Sequence, residues 1–144
     1  MQVFTEMRSG KKKSFTESLV ALLVKELKLH RSKCVLRVYP TVGLTATTGA
    51  TAGVCDAREA DGTIALTFDS KLNQDDMILS FVHEMIHVKQ MARGHLRYVN
   101  GVPHWLGKSA AHYSYENAPW EILAYSGMEK LLINIAHRII DSTM

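Results

Sequence analysis

Residues 79–91 read LSFVHEMIHVKQM. The run is apolar enough for a buried helix, yet two histidines and a glutamate sit in its middle, spaced H-E-x-x-H. On a helix, side chains four apart stand one above the other on the same face. His83 and His87 can therefore point two imidazoles at one Zn²⁺. Glu84, next to His83, reaches the same cavity from the side, where it can take a proton from zinc-bound water. Burial of the three groups is then compensated by coordination and hydrogen bonds. The alternative for so short a motif is a metal-free core of satisfied polar groups. The amphipathic helix around it and further ligand candidates downstream favour the metal.

The boundaries of that helix are readable. Asn73 can cap its start, Asp75 and Asp76 suit the positive end of the helix dipole, and Gly94 is placed to stop it. Met77, Phe81, Met85 and Val88 form its apolar stripe. Upstream, Ser14-Phe15-Thr16-Glu17 is a capping-box pattern, and Phe15, Leu19, Leu22, Leu23 and Leu27 recur at helical spacing, so a first helix is predicted over 14–29. Cys34 to Tyr39 alternates as a strand, with Pro40 ending it. The Thr-, Gly- and Ala-rich residues 41–53 read as a loop. Val54–Glu59 and Thr63–Phe68 flank Asp61-Gly62 as a hairpin. Leu96–Val99 and Val102–Leu106 flank Asn100-Gly101 as a second one, in which Pro103 predicts an edge strand. Residues 107–116 read as irregular. Asn117 is the expected cap of a last helix opening Ala118-Pro119-Trp120-Glu121, with a stripe of Ala124, Met128, Leu131, Leu132, Ile135 and Ile139.

A chain of 144 residues, 47% hydrophobic and 22% charged, suits one globular domain over 1–144, with residues 1–13 as a flexible lead-in. The expected class is α+β: an N-terminal helix, a small, mostly antiparallel sheet, the HExxH helix and a C-terminal helix. The net charge is only +3, and Lys11-Lys12-Lys13 reads as a solvated run, which argues against a nucleic-acid partner. No secretory h-region follows the first basic residues, and no run approaches the ~20 apolar residues of a membrane span. The expected location is the cytoplasm, with Cys34 and Cys55 as reduced core residues.

Catalytic zinc takes three protein ligands and keeps one position for water. Candidates for the third are His95, His104, His112, Glu116 and Glu121. The longer pattern HExxHxxGxxH is not met, because Gln90 and Arg93 stand where its glycine and third histidine belong. Glu121 has the best setting, in the first turn of a separate long helix that can cross the HExxH helix and hold a carboxylate rigidly. Tyr113, Tyr115 and His112, just before it, offer a phenol or imidazole to an oxyanion, with aromatic packing as the alternative. Tyr125, one turn beyond Glu121, can orient that carboxylate or simply pack.

HEMIHVKQ, then the W-x-G-K turn at Trp105 to Lys108, a Tyr-rich stretch and PWEILAY together resemble the small zincin-type metallopeptidase-like proteins of bacteriophage genomes, over residues 79–127. The resemblance implies a zincin-like minimal metalloprotease fold and one zinc per chain. It implies His83, His87 and Glu121 as ligands, a gluzincin-like set, with Glu84 as catalytic base. It also implies a peptide or protein substrate and, for a phage-encoded chain, a host-cytoplasmic setting. The second motif commonly ends E-x-E-A; here Leu123 replaces its second acid, while Ala124 is kept. A weaker resemblance is to SprT-type, nucleic-acid-associated zinc proteases, in which His104 would be the third ligand. The expected activity is thus zinc-dependent peptide hydrolysis. Its rival is a non-catalytic zincin-like domain that binds zinc or a protein partner within a phage assembly.

Overall fold

The structure, a computed structural model, describes residues 1–42, 53–55 and 61–143, without the side chains of 54, 55 and 139–143. Among the described residues it is α+β, with three helices and two small sheets. The chain runs β1 (Gln2–Thr5), α1 (Lys11–Glu26), β2 (Val35–Thr41), β3 (Gly53–Cys55), β4 (Thr63–Asp69) and α2 (Gln74–Ala92). Then come β5 (Leu96–Val99), β6 (Val102–Trp105), β7 (Lys108–Ser109), a 3₁₀ turn (Tyr115–Asn117) and α3 (Pro119–Thr143).

The larger sheet has the order β1-β2-β4-β3. It is mixed rather than mostly antiparallel: β1 runs parallel to β2 and β2 to β4, and only β3 is antiparallel to its neighbour. For β1 and β2 the reason lies in the first residues. They are not a loose lead-in; β1, α1 and β2 form a βαβ crossover, which makes its strands parallel. Leu36, Val38, Ile64, Leu66 and Phe68 alternate onto one face of this sheet and are fully buried there. The helices cover that face; the opposite face leaves Tyr39 exposed.

β2 continues through Pro40 instead of ending before it. Val38 O accepts from Glu6 N, so the even-numbered residues of β2 turn their polar groups toward β1. Pro40 does so beyond the last β1 pair, Thr5 with Val38, so its missing N–H breaks no rung.

α1 starts three residues before the capping-box pattern. Gly10 is its N-cap and makes no side-chain cap, while Ser14 to Glu17 lie inside the helix. Thr16, Leu19, Val20, Leu23 and Val24 form its buried stripe, and the buried Thr16 hydroxyl donates to Lys12 O at 2.8 Å. The helix ends on Lys28, at φ +58°, with Leu29 N donating to Val24 O and Lys28 N to Lys25 O. α2 follows its sequence signals. The Asn73 side chain accepts from Asp76 N at 2.8 Å. At the other end Gly94 takes φ +74°, Gly94 N donates to Met91 O and His95 N to Gln90 O, the paired bonds of a Schellman motif.

β5, β6 and β7 form the second, fully antiparallel sheet. Its first turn, Asn100-Gly101, has both residues at positive φ, as expected for a type I′ hairpin. The stretch expected to be irregular adds β7 through a second such turn at Leu106-Gly107, so β6 is central and Pro103 is not on an edge strand. Pro103 O still accepts from Ala110 N, and its absent N–H falls where β7 has already ended. α3 starts on Pro119, after the extended Ala118, whose carbonyl accepts from Glu121 N and Ile122 N. Asn117 is therefore not the cap; its amide donates to Ser114 Oγ. Ala124, Leu131 and Ile135 of the expected stripe are buried, Met128 and Leu132 partly so, and Ile139 falls among the side chains outside the described set. The strand expected over 54–59 is described only to Cys55, as part of β3, and most of the predicted 41–53 loop likewise lies outside the described residues. Cys34 is a free, buried thiol. Among the described residues, no helix is long and apolar enough to cross a membrane.

Candidate metal centre

α2 and α3 pack side by side. Gln90 meets Trp120, His87 meets Glu121 and His83 meets Met128, so the two helices run antiparallel. Gly127 lies at this seam, where an added Cβ would come into van der Waals contact, 3.4 Å, with Ile86 Cδ1. This crossing sets the first turn of α3 against the middle of α2 and brings Glu121 onto the two histidines.

His83, His87 and Glu121 form a group whose ligand atoms all lie within 4.8 Å of one another and which can hold a metal ion. The two Nε2 atoms are 3.2 Å apart. Glu121 Oε1 lies 3.4 Å from His83 Nε2 and 2.5 Å from His87 Nε2. Ligands at ordinary zinc bond lengths in a tetrahedron are separated by roughly 3.3 Å; the 3.2 and 3.4 Å separations match that spacing, while the 2.5 Å contact between Glu121 and His87 is a short hydrogen bond that would have to open to admit an ion. A second observation agrees: Glu121 Oε2 is buried and has no hydrogen-bond partner, which is costly for a carboxylate oxygen. Burial alone would raise the Glu121 carboxyl, but hydrogen bonds and charge from His83 and His87 outweigh it and hold it at about 2. His87 is pushed the other way: burial lowers it, yet Glu121, Gln90 and Glu84 together raise it above its ordinary value.

Of the five candidates for the third ligand, the structure brings in Glu121 alone. His95 is exposed and faces Trp105 edge-on. His104 sits on β6 with Nδ1 against Val102 O at 3.1 Å. His112 is exposed and stacks on Tyr113 at 4.1 Å, and Glu116 is exposed in the 3₁₀ turn.

The group opens into a cleft of about 240 Å³ lined by Gly53, His83, Glu84, His87, Met91, Leu96, Tyr98, Tyr115, Trp120 and Glu121. Glu84 is 9% exposed and comes up beside His83 as its place on the helix requires. Tyr115 reaches the cleft from the 3₁₀ turn, and its hydroxyl lies 3.1 Å from that of Tyr125. The residue as a whole is 62% exposed, but partial burial of its hydroxyl first, and then Tyr125 and the Glu121 carboxylate, raise the phenol above its usual range; like any phenol it is a proton donor at neutral pH. Tyr113 instead packs edge-on against Trp120. Tyr125 stacks on the His83 ring at 4.6 Å, orienting the imidazole.

Sequence reasoning missed three contributors. Gln90 registered only as a departure from another pattern, although a polar residue three places after His87 on a buried face is itself a signal. Met128, taken as plain core, puts Sδ 3.4 Å from His83 Nδ1. Gly53, read as loop, brings β3 flush against α2: a Cβ there would lie 2.6 Å from Ser80 Oγ and 3.1 Å from Glu84 Cγ. No protein-family model, curated protein or solved structure matches the chain.

Proposed function

We propose that the protein is a zinc-dependent metallopeptidase. The observation that carries this reading is the meeting of His83, His87 and Glu121 at one point, with Glu84 buried beside them in an open cleft. Two imidazoles and one carboxylate are a donor set typical of catalytic zinc, and bound zinc supplies Lewis-acid polarisation of a carbonyl and of water.

The chain's own groups then divide the work. His83, His87 and Glu121 hold the ion. Glu84 accepts a proton from the attacking water and returns it to the nitrogen of the leaving amine. The Tyr115 hydroxyl donates to the oxyanion that develops on the scissile carbonyl. Among the described residues β3 is the outer strand of the sheet on the side of the cleft, and Gly53 lines both. An extended peptide can lie along that edge and be held through its backbone. The edge belongs to the hairpin partner of β4, because β4 itself is flanked on both sides. His104, the ligand that a SprT-type arrangement needs, lies outside the group.

Replacing Glu84 by Gln tests the reading. The variant is expected to keep its fold and one zinc per chain, and to lose peptide hydrolysis by about 10²-fold or more, as for removal of a general base. Hydrolysis at the wild-type rate would take Glu84 out of the mechanism, and loss of zinc would make it a ligand.

A further inference from the structure

Gln90 is almost fully buried, at 7% exposure, and belongs to neither the HExxH motif nor the metal-holding group. Its amide spans the two helices. Nε2 donates to Trp120 O at 3.0 Å, and Oε1 lies 2.8 Å from His87 Nδ1. The orientation is set by chemistry: a backbone carbonyl only accepts, so the NH₂ must face Trp120. The amide oxygen then faces His87, and it too only accepts. His87 must therefore carry a proton on Nδ1, which turns the lone pair of Nε2 toward Glu121 and His83 when the ring is neutral.

The same residue anchors the peptide that immediately precedes Glu121. Its own backbone is pinned, since Gln90 O accepts from His95 N at the Schellman end of α2. Among the described residues His83 has no equivalent support: its Nδ1 meets a thioether, Met128 Sδ, and its ring packs at a tilt against Tyr125.

The geometry points to Gln90 as the positioning residue of the metal centre: one amide sets the tautomer of His87 and ties the α3 turn that carries Glu121 to α2. This inference rests on the reading of the His83, His87 and Glu121 group as a metal site.

The test uses the full chain, stripped of metal and titrated with Co²⁺, read by its visible absorption, and with Zn²⁺ against a chromophoric chelator. Gln90→Leu is expected to weaken both metals by about 10- to 100-fold, the usual cost of losing a group that orients a ligand. Gln90→Glu keeps an acceptor for the Nδ1 proton and should recover most of that loss. Wild-type affinity in a folded Gln90→Leu protein would overturn the proposal, as would a Gln90→Glu variant no better than Gln90→Leu. A second readout does not depend on metal. Long-range ¹H–¹⁵N correlation should show His87 protonated at Nδ1 in the wild type, with zinc or without it. A bare Nδ1 in the wild type refutes the assignment even if Gln90→Leu fails to fold. Should the wild type bind neither metal through His83 and His87, the metal reading itself falls, and the Nδ1 proton still decides what Gln90 does.

Discussion

Glu121 bears the greatest strain of roles for a single side chain here. It is buried, held ionised by two imidazoles, and left with one oxygen unpartnered. Glu121→Ala leaves two histidines, so zinc affinity should fall by orders of magnitude in a chelator competition, while His104→Ala should leave it nearly unchanged. The reverse pattern would assign the third ligand to His104. Lys28 is a second residue under local tension, a non-glycine at φ +58° closing α1. It also lies in a cationic neighbourhood, because burial, Arg93 and Lys28 together lower the Lys89 ammonium. Lys28→Gly should therefore stabilise the protein by up to about 1 kcal/mol, visible as a rise of a few degrees in Tm. A lower Tm would mean that the lysine makes contacts worth more than its backbone strain. At this scale the sequence was most legible where spacing fixes direction. His83, Glu84 and His87 could be placed together from their helical offsets alone. The same offsets put Gln90 beside His87, but they say nothing of its second partner, Trp120 O, which lies thirty residues away on another helix.

Among the elements, β3 is the one whose position depends on a single missing side chain. Gly53 brings its backbone against Ser80 and Glu84. Gly53→Ala should cost stability and, on the proposed peptidase reading, should lower kcat for peptide hydrolysis by displacing Glu84 or the β3 edge. Ser80→Ala removes the nearer of the two clashing atoms, so the double variant should be more stable than the sum of the single effects predicts. Strict additivity in denaturant unfolding would show that the strand simply moves away. The elements fixed by local chemistry were readable in advance: α2 between Asn73 and Gly94, and the hairpin at Asn100-Gly101. β1 was not, since it is four residues long and becomes a strand only by pairing with β2, over thirty residues on. Missing it also hid the parallel pairing of β1 with β2. The capping-box pattern at Ser14 misled for a related reason: the helix could begin earlier at Gly10, with the lysines of its first turn exposed or half-buried and Lys12 donating to Ser70 O.

For the molecule as a whole, a metal at the proposed site would compete with protons for the same buried group. In metal-free protein the Glu121 carboxyl lies below its ordinary 4.5, so its contribution to stability is present above that pH and is lost as pH falls toward 2. His87 lies above its ordinary 6.5, so its contribution is complete below 6.5 and is lost as pH rises through its folded value. With a chelator present, Tm attributable to this group should be highest between about pH 4.5 and 6.5 and decline toward pH 9. Zinc at 100 times its Kd should add about 2.7 kcal/mol, and at a fixed zinc concentration the gain should be larger at the alkaline end, where no proton must leave His87. A chelator-treated protein whose Tm climbs steadily to pH 9 would contradict this arrangement of charges.

The type I′ turn between β5 and β6 has one more consequence. It contains the chain's one Asn–Gly bond, which hydroxylamine cleaves, and it is exposed. Cleavage there would yield a piece ending at Asn100 that carries both histidines and a piece beginning at Gly101 that carries the carboxylate. Neither half would own a complete set of donors. The two could regain a full set only by docking α3 back along α2, so the metal would act as a reporter of reassembly, a built-in complementation assay for the crossing of the two helices.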